Sequence, residues 1–70
     1  MKIFVFKTNL KNDYQKEMIA PVIKQIKGVT RWTVDFEDKN KVLRIEGHGL
    51  NSKHIQSEIT NAGFECEKMY

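Results

Sequence analysis

Seventy residues, twelve of them basic and nine acidic with a formal charge of +3, make one domain spanning 1–70 and leave no room for a second. A chain this short buries only about 60% of its unfolded surface, yet a 40% hydrophobic content suits one core and argues against disorder. The lone cysteine, Cys66, excludes an internal disulfide framework and points to a reducing cytoplasm, while no apolar run approaches the roughly 20 residues of a membrane span.

In chain order, Ile3 to Lys7 is β-branched and aromatic and apolar on both parities, as in a central buried strand. Its apolar part is too short for a signal peptide. After the polar Thr8-Asn9-Leu10-Lys11-Asn12 the period changes. Tyr14, Met18, Ile19, Val22, Ile23 and Ile26 recur at three- and four-residue steps and predict an amphipathic helix. Gly28 stops it, and Lys24 and Lys27 suit its negative end. Pro21 lies inside this helix, where it removes a backbone hydrogen bond and bends the axis.

Val29 to Glu37 alternates, with Trp32, Val34 and Phe36 on one face and Arg31, Thr33 and Asp35 on the other, so it reads as a half-buried strand. Asp38 to Lys41 turns the chain, and Val42 to Glu46 returns as a hairpin partner. A second helix spans Ser52 to Ala62, capped by Asn51, with Ile55, Ile59 and Ala62 inward and Gly63 at its end. Phe64 to Met69 alternates again as a short last strand. The order βαββαβ is the ferredoxin-like α+β sandwich, a four-stranded antiparallel sheet with both helices on one face. The expected core is Phe4, Phe6, Ile19, Val22, Ile23, Ile26, Trp32, Val34, Phe36, Leu43, Ile45, Ile55, Ile59 and Phe64.

These residues resemble the heavy-metal-associated domains of copper chaperones and metal-pumping ATPases. That family runs from an apolar strand through a Thr-Gly-Met-Thr-Cys-x-x-Cys loop to a helix ending in Gly-Val, a hairpin, and a helix ending in Ala-Gly-aromatic. Here the matching stretches are Thr8 to Asn12, Gly28-Val29, Trp32-x-Val34-Asp35 and Ala62-Gly63-Phe64, so the likeness covers essentially the whole chain. Counting back from Gly28-Val29 places the two cysteine positions on Asn12 and Gln15 and the loop methionine on Leu10.

That departure removes the family's chemistry. Copper(I) is a soft cation that takes thiolates, whereas Asn and Gln offer neutral oxygens. Asn12-x-x-Gln15 has instead the form of a capping box. Asn12 accepts from the free helix N–H groups, Gln15 reaches back to the Asn12 backbone, and Asp13 favours the dipole. No metal site and no cofactor are therefore expected. The remaining donors, His48, His54, Cys66 and the methionines Met1, Met18 and Met69, have no spacing that gathers them. Cys66 reads as a small buried hydrophobe and both histidines as solvent-facing.

Other functions fare no better. No nucleophile elbow, phosphate loop or catalytic triad is present, so no enzyme activity is expected. Gly47-His48-Gly49 reads as a backbone turn. The βαββαβ order also underlies a single-stranded RNA-binding module that stacks bases on sheet aromatics. The resemblance puts Phe4 and Phe6 in the core, and the open face of Ile3, Val5, Arg31, Thr33, Asp35, Arg44 and Glu46 then offers no stacking platform. No nucleic acid and no membrane partner are expected. What remains is a protein-interaction role, with Lys7, Lys11 and Lys16 around the first loop as the partner-binding residues. The resemblance implies a partner of similar ferredoxin-like fold, met through complementary charge, and the open sheet face allows a monomer or weak homodimer. The alternative is a carrier that binds a heavy-metal ion through an unconventional or dimer-shared site.

Overall fold

The computed structural model describes residues 1–69. Six elements follow one another: β1 Lys2–Thr8, α1 Asp13–Lys24, β2 Val29–Asp35, β3 Val42–Gly47, α2 Ser52–Asn61 and β4 Cys66–Lys68. The strands form one antiparallel sheet in the order β2-β3-β1-β4. This is the expected βαββαβ sandwich. Alternation along β1 turns Phe4, Phe6 and Thr8 toward the helices and Ile3, Val5 and Lys7 toward the open face.

Phe6, Ile19, Ile23, Ile26, Leu43, Ile45, Ile55 and Ile59 are buried as expected, and Phe4, Val22, Trp32, Val34, Phe36 and Phe64 pack half-buried around them. Each fully buried side chain of this size stabilises the fold by about 1.5–3 kcal/mol. Two members were not anticipated. Leu10 and Leu50 sit in polar stretches yet belong to the same cluster. Leu50 directly precedes the cap Asn51 and Ile55 is the fourth helical residue, the spacing of a hydrophobic staple.

Tyr14 and Met18, which share the apolar period of α1 but not the expected core, are 74% and 48% exposed. At about 100° per residue, Tyr14 lies about 140° around α1 from Ile19. The three- and four-residue steps from Tyr14 to Met18 and Val22 drift across the helix surface, so its first members face water.

Several ends differ from expectation by a residue or two, each for a local reason. In α1, Gln25 and Ile26 donate to Val22 and Ile23 at 3.3 and 3.0 Å, a tightened last turn that ends the helix before Gly28. Pro21 is exposed and the helix continues through it. β2 stops at Asp35, whose Oδ1 accepts the Glu37 N–H at 3.0 Å and starts a turn instead. Gly28 has φ +95 and carries its carbonyl to the His48 N–H at 2.9 Å. A Cβ on Gly47 would overlap the Gly28 carbonyl, so this glycine pair lets β2 and β3 close.

Candidate functional site

The first loop and the start of α1 form the end of the molecule that the family likeness singles out. Thr8, buried at the end of β1, donates from its hydroxyl to the Lys41 carbonyl and accepts the Leu10 N–H at 3.3 Å. Its own N–H reaches the Asn40 carbonyl at 3.0 Å. These bonds tie the loop to the β2–β3 turn and drive Leu10 into the core. Asn9 then clamps the loop to the α2–β4 connection. Its Oδ1 accepts the Glu65 N–H at 2.9 Å and its Nδ2 donates to Glu65 Oε2 at 3.3 Å. The partners are 56 residues apart, and no local sequence signal announces the pair.

Asn12 and Gln15 are both engaged in starting the helix. Asn12 Oδ1 accepts the Gln15 N–H at 3.0 Å. Gln15 Oε1 accepts the Lys11 N–H at 2.8 Å rather than that of Asn12, so the reciprocal arm reaches one residue further back. Asp13 adds negative charge in the first turn. Asn12→Ala is expected to lower stability by about 1 kcal/mol, and Asn12→Ser by much less, read from denaturant midpoints. A pair of neutral amide oxygens already bonded to backbone does not fit copper(I), which needs thiolates.

The other possible metal donors are dispersed. Gly47 pairs with Lys2 and Cys66 with Thr8, so His48 and Cys66 sit toward opposite ends of β1, about 20 Å apart by strand rise. His48 is exposed in the turn after β3, and His54 is exposed on α2 with Nε2 3.9 Å from Glu58. Among the described residues no group of three or more His, Cys, Asp or Glu side chains is placed to hold a metal ion.

Cys66 is half-buried against the core, and burial pushes its thiol from 9.0 up to about 12. At neutral pH it stays protonated, a weak nucleophile and ligand. Below pH 9 both folded and unfolded thiols hold the proton, and the group leaves stability unchanged. Between about 9 and 12 only the unfolded thiol ionises, so stability falls as pH rises through that window. Cys66→Ala is expected to remove part of the alkaline fall in melting temperature while leaving its neutral value comparatively little changed.

Lys7, Lys11 and Lys16 surround the loop but point differently. Lys7 stands on the open sheet face opposite Glu67 of β4, Lys11 is exposed in the loop, and the Lys16 ammonium lies 5.6 Å from the Trp32 ring centroid. Between Lys11 and the outer surface of α1 lie the exposed Tyr14 and Met18. The end of the molecule is thus a closed loop beside an apolar and basic surface.

No protein-family model matches the chain, and no curated protein does. Solved structures do. The yeast copper transporter domain CCC2A, determined in apo and copper(I)-loaded states, has a TM-score of 0.85 at 15% identity, covering 100% of this chain and 97% of that one. The N-terminal domain of PacS from Synechocystis scores 0.82 at 13% identity over 100% of both chains. The copper(I)-loaded first domain of the human copper chaperone for SOD1 scores 0.77 at 12% identity, over 94% of this chain and 89% of that one. The fold is therefore that of heavy-metal-associated domains, as in the domain of that type from a copper chaperone for superoxide dismutase. No described helix is long and apolar enough to cross a membrane.

Proposed function

We propose that this chain is a non-catalytic protein-interaction domain on a heavy-metal-associated fold, docking through its first loop and the outer surface of α1. The observation that carries this reading is the exposure of Tyr14 and Met18, one helical turn apart beside a loop whose two cysteine-equivalent positions serve as a cap. An exposed aromatic with a neighbouring thioether supplies apolar contact area that a lone solvated helix face does not need. Lys11 beside them, with Lys7 and Lys16 to either side, supplies positive charge for steering. Asp13 and Glu17 on the same stretch confine that charge to the loop end, which fits a partner with an acidic rim around an apolar centre. The partner proposed is a protein of similar ferredoxin-like fold, because that shape presents a matching loop-and-helix end.

Benzoylphenylalanine in place of Tyr14, photolysed in extracts of the source cells, tests the surface. The same cross-linker in place of Ser57, exposed on α2, serves as the control. A defined adduct from position 14, weakened by Lys11→Glu and missing from position 57, is the expected result. Capture of the same protein from position 57 with equal yield would contradict the assignment.

A further inference from the structure

β2 and β4 are the sheet edges, and the direction of each backbone group on β2 follows from one hydrogen bond. The Met69 N–H donates to the Val5 carbonyl at 2.8 Å, so the backbone groups of Val5 face β4. In an antiparallel ladder the facing alternates residue by residue, and those of Phe4 and Phe6 therefore face β3. Phe4 pairs with Ile45 and Phe6 with Leu43, which turns the groups of Arg44 and Val42 toward β2. There they meet Thr33 and Asp35. Trp32 and Val34 accordingly present their N–H and C=O groups outward, on an edge that carries neither proline nor lysine, the usual guards of such a row.

We infer that two copies of this chain join edge to edge through β2, antiparallel and centred on Thr33. In that register Trp32 of one copy and Val34 of the other form a hydrogen-bonded pair, and symmetry supplies the second pair. The side chains agree with this pairing on both faces. On the open face Arg31 stands opposite Asp35 of the second copy, again twice, and Thr33 stands opposite itself. On the helix side Trp32 meets Val34, an aromatic against a β-branched residue, which is a favourable cross-strand combination. A shift of two residues in one direction leaves Arg31 opposite Thr33, and a shift of four sets Arg31 against Arg31. Charge therefore selects the Thr33-centred register.

The edge is also accessible. The Arg31 side chain is 72% exposed, with Nε 4.0 Å from Glu46, so its guanidinium remains available. A groove of about 390 Å³ between α1 and β2, lined by Ala20, Ile23, Ile26, Val29 and Trp32, leaves room under α1 for side chains of an added strand. The bulge at Val29/Arg31 limits regular pairing to residues 31–35, so the dimer is weak and closes on itself as an isologous pair. The pairing uses neither Tyr14 nor Lys11, and Lys16, over the Trp32 ring, is where it adjoins the proposed docking surface.

Sedimentation of the full chain up to about 1 mM, where small interfaces populate, tests the inference with Arg31→Asp, Asp35→Arg and an equimolar mixture of the two. One variant presents only carboxylates at these two positions and the other only guanidinium groups. The wild type is expected to dimerise, with dilution-dependent amide shifts at Trp32 and Val34. Each variant alone should dimerise at least about tenfold more weakly, and the mixture should recover. Circular dichroism establishes that each variant remains folded. A wild type that stays monomeric throughout, variants that associate as the wild type does, or a mixture without recovery would each overturn the pairing. Concentration-dependent shifts confined to Ile3 and Val5 would also overturn it, by moving the contact to the open face.

Discussion

The double variant Asn12→Cys/Gln15→Cys is expected to bind copper(I) stoichiometrically, against no defined binding at these positions in the parent chain. Both residues lie at the loop-to-helix junction, three apart, with Gln15 N–H already 3.0 Å from the Asn12 side chain. Thiolates there match a soft cation, and the helix N-terminus favours their ionised form. Loss of the cap costs about 1–2 kcal/mol in the metal-free variant, so its apo form should melt lower and metal should recover the difference. Titration of the reduced protein against a competing copper(I) chelator reads the gain. A folded double variant that leaves all copper on the chelator would contradict the positional match between this loop and the metal loop of its fold neighbours.

Leu10→Ala should destabilise the protein by about 2–5 kcal/mol, whereas Tyr14→Ala should move stability by no more than about 0.5 kcal/mol. Leu10 is fully buried and Tyr14 is 74% exposed, although hydropathy would rank both as apolar residues flanking the same helix start. For a domain of this size the total is about 4–10 kcal/mol, so the first change removes a large share of the stability. The second should leave the fold intact and weaken only partner capture. Chemical denaturation of the two variants side by side separates these outcomes. Equal losses would mean that Tyr14 packs inward and that the docking surface has no apolar centre.

Local chemistry made much of this molecule legible from its residues. Period-two alternation announced β2, Gly63 closed α2, and Asn12 and Asn51 announced the helix caps because a side-chain acceptor before an apolar repeat has few other uses. Long-range contacts carried no such mark. Leu10 lies among polar neighbours, and its burial depends on Thr8 bonding to the Lys41 carbonyl across the sheet. The Asn9–Glu65 clamp joins residues 56 apart. Tyr14 and Met18 follow the helical period without marking which way it faces. Spacings of three and four place neighbours on one face, but a chain of such steps rotates, and only Ile19, Ile23 and Ile26 mark the true inward direction. That rotation carries Tyr14 and Met18 out of the core and into the candidate site.

The central claim is that the start of α1 is a capped, metal-free docking end, and amide shifts during titration of the reduced wild-type chain with copper(I) test it most directly. With a competing chelator present, residues 8–16 should show no shift that saturates at a defined ratio, and any zinc effect should stay weak and local to His48 and His54. Saturating shifts centred on Asn12 and Gln15 that survive Cys66→Ser would contradict the claim and restore this end of the fold to metal carriage.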